Sequence, residues 1–113
     1  MFAPLIVGLS GLHLTQDEAA YLERVRPLGI IVFARNVRDV SQLTRLVEDA
    51  KAASGAHLGL VDQEGGRVQR LKPPLAPRYP PARTIGTLAQ ADSARGLRAA
   101  WLAGHLIASD LMP

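Results

Sequence analysis

Apolar residues arrive along this chain in two alternating textures, short unbroken runs and longer stretches at helical spacing. Leu5 to Leu9 is a short run closed by Ser10-Gly11, and its length predicts a buried strand. Thr15 followed three residues later by Glu18 is a capping box, so a helix is expected from there to about Val25, ended by Pro27. Gly29 to Phe33, "GIIVF", is β-branched and continuous, as a strand covered on both faces must be. After an "ARN" loop, Asp39 or Ser41 caps a second helix in which Val40, Leu43, Leu46, Val47 and Ala50 share a face. Leu58 to Val61 is a third strand. The β-α-β-α-β order, with right-handed crossovers, predicts one parallel sheet with helices packed outside it.

Beyond the third strand the texture changes. Pro73, Pro74, Pro77, Pro80 and Pro81 remove backbone donors between Leu71 and Pro81, which predicts a long stiff loop. Helical spacing returns from Asp92 to Leu111, with Leu97, Trp101, Ala108 and Leu111 on one broad face and Leu102 and Leu106 beside it. Three strands offer such a helix little area, and at ~25 cal/mol per Å² an uncovered apolar face forfeits much of the ~5 to 15 kcal/mol that holds a domain together. The chain therefore reads as the first portion of something larger.

Composition narrows the classes. The 113 residues carry a net charge of +3, but the basic residues are spread out and interleaved with acids. Nucleic-acid binders concentrate such charge and add stacking aromatics, so no nucleic-acid partner is expected. The absence of cysteine removes disulfides, thiolate zinc sites and cysteine nucleophiles. The N-terminus, Met1 to Gly11, has an apolar run but no basic region before it and no small-residue cleavage site after a long enough apolar stretch, and no run approaches the ~20 apolar residues of a membrane span. A cytoplasmic chain with no membrane partner is the expectation. No metal-ligand spacing or cofactor motif occurs, so neither metal nor cofactor is expected.

The densest chemistry is "VDQEGGRVQR", Val61 to Arg70. Ligands of parallel α/β sheets sit outside the carboxyl ends of the strands, where Asp62 falls. A carboxylate there accepts adjacent sugar or polyol hydroxyls, and a nearby arginine supplies several fixed donors. Gly65-Gly66 lets the backbone turn sharply and lie close to a ligand or another loop. The same residues also fit a plainer reading, in which Asp62 caps a turn and Glu64 pairs with Arg67 or Arg70 at the surface.

"VDQEGGRVQRL", preceded by "GIIVFARN" and followed by a Pro-rich segment and "WLAGHLIASDL", resembles the start of the β-N-acetylhexosaminidases of glycoside hydrolase family 3, in their cytoplasmic bacterial form that recycles cell-wall fragments. The resemblance spans essentially the whole chain. It implies an α/β fold, the N-terminal portion of a (β/α)8 barrel with about three parallel strands and their helices, and residues 1–113 as one partial barrel domain truncated at its C-terminus. It implies that Asp62 and Arg70 bind a terminal N-acetylglucosamine. Gln63, Glu64 and Arg67 then support the loop, and Asn36, after the second strand, lines the same face. The implied substrate is a peptidoglycan-derived or chitin-type N-acetylglucosaminide.

One departure matters. These enzymes retain configuration, using a carboxylate nucleophile and a His in a Lys-His-Phe-Pro-Gly-His-Gly type segment later in the barrel. Neither segment occurs here. His105 lies four residues after Trp101, the spacing of a helix-face contact, and His13 and His57 are expected at the end of the strands opposite Asp62. The chain alone is thus expected to be inactive. Two other readings stand beside this one: a small non-catalytic carbohydrate-binding or interaction module with a flavodoxin-like sheet, and a phosphate-binding α/β protein, which lacks the P-loop lysine after its glycines.

Overall fold

The computed structural model describes residues 1–112. The chain divides into two compact units, one of Met1–Asp62 and one beginning at Gln63.

The first unit runs β1 (Ala3–Gly8), α1 (Gln16–Val25), β2 (Pro27–Val32), a 3-10 turn (Ala34–Asn36), α2 (Val40–Ser54) and β3 (Leu58–Val61). The strands form one parallel sheet in the order β1-β2-β3, as the alternating pattern predicts. Thr15 caps α1 with both halves of the capping box: its hydroxyl accepts from Glu18 N, and the Glu18 carboxylate accepts from Thr15 N at 2.9 Å. Asp17 and Glu18 in the first turn and Arg24 in the last complement the helix dipole. Asp39, not Ser41, caps α2, accepting from Gln42 N at 2.8 Å. β2 begins two residues earlier than expected, at Pro27, where a strand's first residue can dispense with an N–H donor.

Register decides which side chains meet. Val7 stands beside Ile30, and Ile30 beside Gly59. Val7 and Ile30 pack with Leu9, Leu14, Leu22, Leu46, Ala50, Ala53 and Ala56 in one core under the helices. Leu22, Ile30 and Leu46 are fully buried there, each contributing about 2 kcal/mol of transfer free energy. Strand alternation sends Ile6, Gly8, Ile31, Leu58 and Leu60 to the opposite face. On that face Ile6 and Leu58 remain 50% and 44% exposed.

The second unit opens with a feature the strand pattern did not predict. Gln63–Gly65 (β4) and Val68–Gln69 (β5) pair antiparallel as a short hairpin turning through Gly65-Gly66. Both glycines have positive φ, 90° and 61°. A Cβ on Gly65 would also collide with the Pro80 carbonyl oxygen, and Gly66 N donates to Tyr79 O at 2.9 Å. The glycine pair thus serves close approach to another loop, the Pro-rich one.

After that loop come α3 (Ala82–Ala91) and α4 (Ser93–Leu111). The sequence pattern predicts only the second of these. α3 escapes it because the run of prolines draws attention to a broken backbone, whereas proline disfavours helix only upstream of itself. Asp92 ends α3 and caps α4, accepting from Arg95 N at 3.0 Å. Gly96 is buried against Ala89, so the two helices touch where any side chain would clash. Trp101 and His105 stack in parallel with centroids 5.1 Å apart, the helix-face contact their spacing predicts. Leu97, Trp101 and Leu106 are 69%, 58% and 49% exposed.

Candidate functional site

Asp62 directly follows β3, at its carboxyl end. Strand alternation from Leu58 through Leu60 carries it onto the face away from α1 and α2. The connections leaving β1 and β2 open at the same end of the sheet, so the rim there is built from residues 9–15 and 33–39.

Asn36 organises this rim. It is completely buried in the 3-10 turn, its Oδ1 accepting from Phe33 N at 2.9 Å and its Nδ2 donating to Leu9 O at 3.0 Å and Gly11 O at 2.8 Å. Gln42 Nε2 donates to Asn36 O and Leu12 O, tying α2 to the same knot. Three side-chain bonds leave the Asn36 amide little capacity for a ligand. Its support is therefore exerted through the shape of the rim, by joining the loop after β1 to the loop after β2.

Arg35, beside it, has no part in the sequence-based reading. Its Nε donates to Leu9 O at 2.8 Å and its guanidinium lies 4.7 Å from the Phe33 ring centroid. The available signal was its position in "FARN", one residue before an asparagine that pins the turn.

His57 precedes β3, as expected for the far end of the sheet, and meets Phe2 edge-on at 4.7 Å. His13 corrects the expectation for its position. It lies between β1 and α1, and a strand-to-helix connection necessarily leaves from the carboxyl end of its strand, so His13 belongs to the same rim as Asp62.

In the second unit the motif is held by two glutamines. Gln63 Oε1 accepts from Arg70 N and Leu71 N, both at 3.0 Å, while its Nε2 donates to Leu71 O at 2.8 Å. Gln69 Nε2 donates to Leu71 O and Pro77 O, and its Oε1 accepts from Tyr79 N. Both are buried. They replace the backbone partners that five nearby prolines cannot supply, and they fix the backbone at Arg70, whose residue is half-buried. Gln63 and Gln69 together hold the loop's backbone. Glu64 and Arg67 are exposed on the hairpin. The Tyr79 hydroxyl donates to Asp110, which holds the phenol above its usual pKa, chiefly through that bond to the carboxylate.

Among the described residues, no group of three or more His, Asp or Glu side chains is placed to hold a metal ion. No helix is long and apolar enough to cross a membrane.

A three-stranded parallel sheet with helical crossovers and an acid at a strand's carboxyl end has the form of the opening part of a (β/α)8 barrel. The fold is α/β and matches the N-terminal part of a glycoside hydrolase family 3 barrel enzyme, NagZ. Structures of NagZ from Neisseria gonorrhoeae, native and in complex with N-trifluoroacetyl-D-glucosamine, superpose with TM-scores of 0.86 and 0.87 at 30% identity, covering 97% of this chain and 32–33% of theirs. No protein-family model matches the chain. Its homologues include β-hexosaminidases of Bordetella avium and Chromobacterium violaceum, each 37% identical over 109 residues, which is 96% of this chain. The chain spans about a third of the length of these relatives, 31% and 30%.

Proposed function

We propose that residues 1–113 are the sugar-recognising, N-terminal portion of a family 3 β-N-acetylhexosaminidase barrel. The whole enzyme would remove terminal N-acetylglucosamine, with retention, from muropeptides in the cytoplasm. Asp62 accepts two adjacent hydroxyls of that sugar and Arg70 donates to it, while Gln63, Glu64, Arg67 and Asn36 keep the surrounding loops in shape. The observation that carries this reading is a single one: homology to enzymes named β-hexosaminidase runs through 96% of the chain, including the strand that Asp62 directly follows. The apolar residues left exposed on the sheet face away from α1 and α2, and on α4, support a partial domain.

The cutting groups are assigned to segments outside this chain, since neither a Lys-His-Phe-Pro-Gly-His type segment nor a second candidate carboxylate motif is present. The purified chain should therefore leave 4-nitrophenyl N-acetylglucosaminide intact while still binding N-acetylglucosamine weakly, and Asp62→Asn should weaken that binding about tenfold. Nuclear magnetic resonance titration and a colorimetric assay read the two outcomes. Turnover by the chain alone would overturn the assignment of catalysis, and unchanged binding in the variant would overturn the role of Asp62.

A further inference from the structure

Arg35 is pinned across the rim between the loop after β1 and the loop after β2. Its backbone belongs to the turn knotted by Asn36, its Nε is spent on Leu9 O, and its guanidinium plane rests against Phe33. A long exposed side chain loses rotamer freedom when held in this way, so its charged end is already ordered before any anion arrives. No carboxylate among the described residues pairs with Arg35, and it is exposed.

The direction of the free end follows from Gly8, the last residue of β1. A Cβ on Gly8 would lie 3.2 Å from Arg35 Nη2 and 3.2 Å from Phe33 Cε2. Gly8 stands beside Ile31 in register, and Ile31 beside Leu60, so Gly8 belongs to the sheet face away from α1 and α2. That is the face onto which alternation carries Asp62. The Nη edge thus overlies the carboxyl end of β1, two strand spacings or roughly 10 Å from the strand that Asp62 directly follows. A pyranose ring alone is shorter than that span, so Arg35 would meet a substituent of the sugar, and N-acetylglucosamine itself carries no carboxylate, which leaves the aglycone as the source of one.

We infer that the open Nη edge of Arg35, cradled by Gly8 and Phe33, is a recognition point for a carboxylate on the aglycone of the N-acetylglucosaminide. A planar fork of N–H donors matches a carboxylate in two parallel bonds, and the bonds to Leu9 O and Phe33 hold the fork ready. The inference rests on the proposed role of Asp62 for the position of the sugar, and on Arg35 alone for the preference for charge.

The test compares two ligands differing only in that charge, methyl and carboxymethyl β-N-acetylglucosaminide, titrated into the full 15N-labelled chain. The Arg35 Nε–H signal, slowed in exchange by its bond to Leu9 O, and the Gly8 amide report the event. The carboxymethyl glycoside should bind about tenfold more tightly and shift both signals, and Arg35→Gln should bring the two ligands to equal affinity. Equal affinities in the unaltered chain would overturn the inference and leave the Asp62 reading standing, and this comparison decides even if the variant does not fold. Asp62→Asn should weaken both glycosides alike; if it changes neither while the charge preference persists, the Asp62 reading falls and the anion site stands. No shift with either glycoside at their solubility limits overturns both.

Discussion

The two units of this chain are stabilised by different means. Met1–Asp62 is mainly an apolar sandwich: three parallel strands place Val7 and Ile30 against a helix-borne layer of Leu22, Leu46 and Ala50, and polar side chains act at the caps and in the Asn36–Gln42 knot at one end of the sheet. From Gln63 onward the candidate motif has almost no apolar core, with Leu71 and Ala76 its buried hydrophobic residues and two buried glutamines carrying its loop. Hydrophobic burial is non-directional and tolerates small adjustments, whereas an amide clamp works only when each donor meets its acceptor. The first design suits a scaffold and the second suits a loop held in one conformation.

The contrast can be broken in stages. Ile30→Ala should cost about 2–5 kcal/mol, the largest effect, because it opens a cavity in the middle of the sheet; chemical denaturation followed by circular dichroism measures it. Gly65→Ala comes next, since φ of 90° and the Pro80 carbonyl both oppose a side chain. A loss of about 1–3 kcal/mol is expected, with faster hydrogen exchange at Gly66 N, whose bond to Tyr79 O would open. Gln69→Ala should cost about 1–3 kcal/mol and, unlike Ile30→Ala, should free the Tyr79 amide while leaving far-ultraviolet dichroism unchanged. Thr15→Ala removes a cap and should cost about 1 kcal/mol by the same denaturation assay.

The smallest effect is one of pH. Burial raises the Glu18 pKa, but hydrogen bonds from the Thr15 and Ser10 backbones outweigh it, and the net value lies below the ordinary 4.5. A lowered folded-state pKa gives stability that is present above 4.5 and lost as the pH falls through the folded value. Glu18→Gln should flatten that acid limb of a melting-temperature profile, and an unchanged limb would remove Glu18 from the account.

Much of the scaffold was legible along the chain. Leu58 to Val61 matches its strand at both ends, and Thr15 and Glu18 make both bonds of the predicted box. Such features are local, being set by residues a few positions apart. Less was legible where partners are distant. Asn36 reads as a loop residue lining the candidate face, and the sequence does not show that its amide is consumed by Leu9 and Gly11, 27 and 25 positions away. His13 was misplaced because only the order of strand and helix says which end of the sheet a loop occupies. α3 was hidden by the prolines before it, and the hairpin by pairing over two and three residues, too short for any period to register.

By itself, then, the order of residues determined the parallel β/α scaffold, its caps and the placement of Asp62 at a strand end, because periodicity and capping are short-range chemistry carried by neighbours. Only the tertiary structure decided that Gln63 and Gln69 brace the loop, that Asn36 is a fastening, and that Arg35 reaches over Gly8 with its fork open. Those outcomes depend on which distant carbonyls and rings come within about 3 to 5 Å, and strand register and chain packing set that distance.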